Sequence, residues 1–240
     1  MIYPKKSERF EQLFHPFVAH QLKKHFYKIY LYEEANIQQH RPTIFIVNHS
    51  SWWDGLVCYY LNRVKLKHDS YAMMSEQGVK DFSFFQKIGA FSVNPSSPKH
   101  VIQSLRYAKK LVNEQKSVWI FPQGKEEHLE KRPLQFSKGV SYVIDEVEDV
   151  TVVPITFYYT FRHDQRPELF ITIGKPVHSS TFLSDSRDKI TQKLETMVTK
   201  QLDASREKLI KEEVTSFSIL LEGYKTVSEW LTWWKAKVKR

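Results

Sequence analysis

The sequence predicts an α/β protein of one domain, a largely parallel or mixed β-sheet flanked by helices, with amphipathic helices at both ends. Short β-branched and aromatic segments alternate with helical stretches through the middle of the chain. The length of 240 residues suits one sizeable core plus some appended helix. Neither an internal repeat nor a low-complexity linker interrupts the alternation.

The elements follow in order. From Glu8 to Phe26, the residues Phe10, Leu13, Phe14, Phe17 and Leu22 fall roughly on one helical face, with His20, Lys23, Lys24 and His25 largely off it. Such a stripe packs on a core or lies in a bilayer interface. Tyr27 to Tyr32 reads as strand, followed by a polar turn around Glu34-Ala35-Asn36. Further strands are expected at 43–47, 70–75, 90–93, 117–121, 151–159 and 168–173, and helices at 51–63, 79–87, 97–113 and 137–147. Ile190, Leu194, Met197, Val198, Gln201 and Leu202 repeat with a period of about 3.6, and Leu209 to Leu221 continues apolar, so the last third is expected to be helical. The chain thus divides into an N-terminal amphipathic helix (1–26), a core (27–180) and a C-terminal helical extension (181–240).

Charge and composition narrow the partners. The net charge is +9, from 36 Lys and Arg against 27 Asp and Glu, which suits nucleic acid or an anionic membrane. Neither a zinc pattern nor a ribonucleoprotein signature is present, so no nucleic acid is expected. Aromatics reach 14%, and the tail from Val227 to Arg240 joins Trp230, Trp233 and Trp234 to Lys235, Lys237, Lys239 and Arg240. Rings at headgroup depth with cations beside them are what an interfacial segment uses; the other reading is a tryptophan cap over the core. No signal peptide is expected after Met1, and no window approaches the ~18 apolar residues of a membrane span. The histidines form no ligand-spaced cluster, so no metal is expected. The lone Cys58 admits no internal disulfide, suits a reducing compartment and reads as a small buried hydrophobe.

The chemistry concentrates in Asn48-His49-Ser50-Ser51-Trp52-Trp53-Asp54. An apolar run, Ile44-Phe45-Ile46-Val47, stops there and hands over to a helix, a junction that holds side chains at a sheet edge facing a cleft. A histidine with a carboxylate partner takes a proton from an alcohol near neutral pH, His49 as base and Asp54 fixing its tautomer. The same residues also read as a core histidine and a capping box, Ser51-x-x-Asp54, with Ser50 and Ser51 as helix caps. No G-x-S-x-G elbow for a covalent serine is present.

Further blocks follow in order: Gly89-Ala90-Phe91-Ser92-Val93-Asn94, Val118-Trp119-Ile120-Phe121-Pro122-Gln123-Gly124, Phe136-Ser137-Lys138-Gly139 and Val153-Pro154-Ile155. With the histidine block they resemble the glycerolipid acyltransferases (the lysophosphatidate, or PlsC-like, family), whose patterns run approximately NHxSxxD, GxxFIxR, FPEGTRS, F-x-x-G and VP[VI]. The resemblance covers about Ile44 to Pro176. It implies transfer of an acyl group from acyl-CoA or an acyl carrier protein to a lipid hydroxyl, with His49 and Asp54 catalytic and no permanently bound cofactor. It also implies a peripheral enzyme on the cytoplasmic side of the cell membrane, with an anionic membrane surface, an acyl donor and a lipid acceptor as partners. Phe121, Pro122, Gln123 and Gly124 are then substrate-binding, the Gly124 N–H serving the oxyanion. Lys138 and Gly139 would add positive charge near the same site, and Val153 and Pro154 would line the acyl tunnel; ordinary strand core and a solvated lysine are their other readings.

Departures from the family pattern bear on the acceptor. The glutamate of FPEGTRS is Gln123, its Thr-Arg pair is Lys125-Glu126, its serine is Glu127, and the arginine of GxxFIxR is Pro95. Those arginines are associated in the family with an acceptor phosphate, and neither proline nor glutamate makes their paired charge-assisted bonds. Either Lys99, Lys125, Lys131 or Arg132 takes over, or the acceptor is a neutral glycolipid, a glycosylated isoprenoid or carotenoid included. A thioesterase and a non-catalytic membrane-binding protein are the remaining alternatives.

Overall fold

The computed structural model describes every residue except His40, Glu146, Glu148, Lys239 and Arg240. Its frame is one mixed sheet in the order β4 (Ala90–Val93), β3 (Ser70–Ser75), β5 (Ser117–Ile120), β2 (Thr43–Val47), β6 (Thr151–Thr160), β7 (Glu168–Ile173), β1 (Lys28–Glu33) and β9 (Ser218–Glu222), with the short β8 (Val177–His178) paired to β6. From β4 to β6 every pairing is parallel; β6–β7 and β1–β9 are antiparallel, and β1–β7 is parallel. β2, β5 and β7 are buried along their whole length, which explains why they read as continuous apolar runs rather than alternating ones.

Two cores cover the two faces. On one, α1 (Glu8–His25) and α2 (Asp54–Leu61) pack over Phe45, Trp119, Val153 and Ile155. On the other, α4 (Pro98–Asn113), α5 (Gly139–Asp145) and α6 (Arg187–Ile210) pack over Ile44, Ile46, Val118 and Val152. The β2 register sets this division, since alternate residues of a strand point to opposite faces. Serine hydroxyls cap four of the helices: Ser7, Ser97 and Ser186 accept the N–H of the third residue beyond, for α1, α4 and α6, and Ser75 does so for the short α3 (Glu76–Asp81).

Several expectations shift. The 51–63 helix begins only at Asp54 and ends in a π-helical turn over Asn62–Leu66. The 79–87 helix is α3 followed by a 3₁₀ turn over Ser83–Ile88. The 137–147 helix is the seven-residue α5; Glu146 lies outside the described residues. The continuation of helix from Leu209 to Leu221 is overturned: α6 stops at Ile210, and Ser218–Glu222 returns as β9 against β1. That apolar stretch alternates too briefly to reveal its period, and pairing with an open sheet edge decides it. Gly223 ends β9 where a Cβ would meet the Phe26 carbonyl at 2.1 Å, so glycine is required there. The segment 181–240 is thus not purely a helical extension, because α6 supplies Ile190, Leu194, Val198 and Leu202 to the core and β9 joins the sheet.

Both end helices are amphipathic, and each leaves apolar surface uncovered. On α1, Phe14, Val18 and Leu22 enter the core, while Leu13 is 78% and Phe17 53% exposed. Helix α7 (Val227–Val238) opens with a capping box, Glu229 N–H to Thr226 Oγ1 at 3.3 Å and Thr226 N–H to Glu229 Oε2 at 2.7 Å. Its Trp230, Leu231, Trp233 and Trp234 are all exposed, so they do not cap the core. Among the described residues no helix is long and apolar enough to cross a membrane.

Candidate active site

The site lies where β2 and β5 end, at the carboxyl edge of the parallel strands. Asn48 ends β2 by clamping its neighbour: its carboxamide donates to the Phe157 carbonyl at 3.0 Å and accepts the Phe157 N–H at 2.8 Å. The chain then turns back over Asp54, the first residue of α2. This carboxylate is fully buried. Its Oδ2 accepts His49 Nδ1 at 2.8 Å, the Ser50 N–H at 2.8 Å and the Ser51 N–H at 3.0 Å, and Oδ1 accepts the Tyr159 hydroxyl at 2.5 Å. Burial, reinforced by the Asp54 charge, pushes the Tyr159 phenol well above its ordinary range, so it remains a neutral donor. The capping-box reading is therefore corrected in part: Asp54 receives N–H groups that precede its helix, and Trp53, not Ser51, stands at the cap with no side-chain bond.

An ionised carboxylate can only accept, so His49 Nδ1 carries the proton and Nε2 keeps its lone pair. The ring stacks on Phe121, centroids 4.5 Å apart, and its backbone is held from two sides: His49 N–H donates to Gln123 Oε1 at 2.7 Å, and Glu127 N–H donates to the His49 carbonyl at 2.9 Å. Glu126 Oε1 lies 4.0 Å from Nε2. His49 is thus fixed in tautomer and orientation, with its basic nitrogen toward a cavity.

That cavity measures about 1150 Å³. Near the surface it is bordered by His49, Trp52, Gln123, Gly124, Lys125 and Glu126. Below His49, Cys58, Ala72, Met74, Phe85, Ala90 and Trp119 give it apolar walls between α2 and the sheet. Burial and then the Asp54 charge push the Cys58 thiol well above the usual thiol range. It behaves as a small hydrophobe there.

The expected site residues divide. His49, Phe121, Gln123, Gly124 and Gly139 border the cavity, with Asp54 directly behind His49. The Gly124 N–H is not the oxyanion donor expected, because at φ +74° it closes a turn onto the Phe121 carbonyl at 3.0 Å. Pro122 is buried behind the loop, its carbonyl accepting the Ser137 N–H at 2.8 Å. Lys138 does not charge the cavity; it pairs with Asp188 on α6 at 2.5 Å. Val153 and Pro154 line no tunnel: they pair with Phe45 and Ile46 of β2 inside the sheet, and Val153 is wholly buried. Two of the expected replacement cations are committed elsewhere, Arg132 to Asp203 at 2.9 Å and Lys131 to Glu127 at 2.6 Å. Lys125 borders the cavity and pairs with Glu127 at 3.0 Å. Among the described residues no cluster of three metal-binding side chains occurs.

Sequence reasoning missed Tyr159 and the apolar walls. Tyr159 is 105 residues from Asp54 and is brought to it by the β2–β6 pairing. No local pattern signals that. The walls come from residues that are half of an ordinary strand or helix pattern, Ala72 and Met74 on β3 among them.

A family model described as Acyltransferase matches residues 28–158. Among solved structures, the chain is similar to the crystal structure of the 1-acyl-sn-glycerophosphate (LPA) acyltransferase, PlsC, from Thermotoga maritima. The TM-score is 0.58 at 16% identity, covering 82% of this chain and 78% of that one. No curated protein matches the sequence.

Proposed function

We propose, for a chain that belongs to the acyltransferase family and is an acyltransferase of lipid metabolism, that it moves a fatty acyl group from a thioester to a hydroxyl of a neutral glycolipid at a membrane surface. The observation that carries the acceptor is Glu126, whose carboxylate stands 4.0 Å from His49 Nε2 where the family pattern has arginine. A phosphate placed beside Nε2 meets that negative charge, whereas sugar hydroxyls donate to it.

In this scheme His49 Nε2 takes the acceptor's hydroxyl proton as that oxygen attacks the thioester carbonyl carbon. The carbon–sulfur bond breaks, the thiolate leaves, and the imidazolium returns the proton to the sulfur. Asp54, held by two backbone N–H groups and Tyr159, stabilises the imidazolium without moving. Gln123 is fixed by its Oε1 on the His49 N–H and brings an amide NH₂ to the cavity rim as a donor for the oxyanion. The apolar walls around Cys58, Met74 and Trp119 take the chain of the donor, acyl-CoA or acyl carrier protein.

The second reading, a 1-acylglycerol-3-phosphate acyltransferase of phospholipid synthesis, is favoured by Lys125 at the cavity rim. Competition between lysophosphatidate and a neutral glycolipid at equal concentration, with one labelled donor, separates the two. Losing two charge-assisted bonds corresponds to a preference for the neutral acceptor on the order of 10²–10⁴. Glu126→Arg should shift the ratio toward lysophosphatidate. Preference of the unaltered enzyme for lysophosphatidate would establish the second reading instead.

A further inference from the structure

The cavity does not end in apolar side chains. Its walls follow β3, six residues of about 3.3 Å each and hence roughly 20 Å from one edge of the sheet to the other. At the far edge the lining changes character to Lys6, Glu11, Asn62, Arg63, Lys67 and Ser70. Asn62 is buried and clamps the start of β3, donating to the His68 carbonyl at 2.9 Å and accepting the His68 N–H at 3.1 Å. Glu11 is buried too, with Arg63 at 3.5 Å and Lys6 at 3.9 Å, while Arg63 and Lys67 reach the surface. Three cations and one carboxylate thus border this end; Lys6 is bonded to Asp69 at 2.6 Å, which leaves Arg63, shared with Glu11, and Lys67 to face a ligand. A floor meant to stop a hydrocarbon chain would be apolar, since buried polar groups strand their hydration when only methylene faces them.

Resting on the proposed acyl transfer, we infer that this far end is a polar subsite, and that the acyl donor it serves carries a hydroxyl or carboxylate at or near the end of its chain. The thioester sits at His49, the methylenes lie along Ala72, Met74 and Trp119, and the terminal oxygen reaches the donors of Arg63 and Lys67. A purely apolar floor would penalise a terminal hydroxyl by about tenfold to a hundredfold in affinity. This one removes that penalty.

The test uses the full chain and two ligands. A hexadecanoyl thioester with a diazirine at its terminal carbon is photolysed on the protein, and the labelled peptide is identified. The label is expected within Tyr59 to Tyr71. Protection from labelling by hexadecanoyl-CoA and by 16-hydroxyhexadecanoyl-CoA is then compared, and the hydroxylated chain is expected to protect about threefold to tenfold more strongly. Label on α4 or α5, which border the other side of the cavity mouth, or no label at all, overturns the inference. So does protection by the hydroxylated chain that is no stronger than that by hexadecanoyl-CoA. Photolabelling needs no turnover. Correct labelling and protection without any acyl transfer would count against the proposed function alone.

Discussion

Four donors converge on Asp54, and none of them can be replaced by water, because the carboxylate is wholly buried. Asp54→Asn would therefore do more than weaken the base. An amide NH₂ must face at least one of these N–H or O–H donors, and hydrogen bonds to a charged group are worth about 1.5–3 kcal/mol each. We expect the variant to lose about 2–4 kcal/mol of stability and to unfold at a lower temperature, alongside its loss of activity. Tyr159→Phe, which removes one charge-assisted bond and leaves the charge, should cost about 1.5–3 kcal/mol. Thermal unfolding of both variants checks this. An Asp54→Asn protein as stable as the parent would mean that the carboxylate is not the structural hub described. The His49–Asp54 pairing was legible in the sequence because both partners lie in one short loop. Tyr159 was not, because only the distant β6 strand brings it there.

At the scale of elements, the two end helices carry the membrane proposal. Leu13 and Phe17 on α1, Trp52 and Phe82 beside the cavity mouth, and the tryptophans of α7 are all exposed. Lys225 and Lys237 lie over the Trp233 ring at 5.1 and 4.2 Å, which puts cations among the rings, as an anionic headgroup layer favours. Of the four basic residues expected at the tail, Lys239 and Arg240 lie outside the described residues. Truncation after Glu229 removes three tryptophans and four cations. At about 1 kcal/mol per cation, binding to anionic vesicles should fall by up to on the order of 10³-fold, and high salt should weaken the full chain in the same direction. Cosedimentation indifferent to both would assign α7 a different role. Strands 43–47, 70–75 and 90–93 were legible to the residue because apolar runs there are bounded by turns. β9 was not, since whether Ser218–Glu222 becomes strand or helix depends on the open edge of β1.

For the molecule as a whole, the parallel half of the sheet does two things at once. Its carboxyl edge presents His49 between the β2 and β5 loops, and its β3–β5 face gives the cavity apolar walls. The mixed half, β6-β7-β1-β9, secures Asp54 through Tyr159, and Tyr27, just before β1, anchors α7 by donating its hydroxyl to Glu229 at 3.4 Å. Base, cavity and the end helices with their exposed apolar side chains thus share one frame, and the base is what the proposed chemistry requires first. The direct measurement is acyl transfer from a labelled long-chain acyl thioester to a lipid acceptor by His49→Ala, with folding verified by circular dichroism. His49 lies at the cavity edge, so its removal takes away one Asp54 donor and the stacking on Phe121, and the variant should still fold at a cost of about 1.5–3 kcal/mol. Transfer should fall by at least about 10²–10⁴-fold, the worth of a positioned general base. A folded His49→Ala enzyme turning over at the parental rate would contradict the assignment of the site.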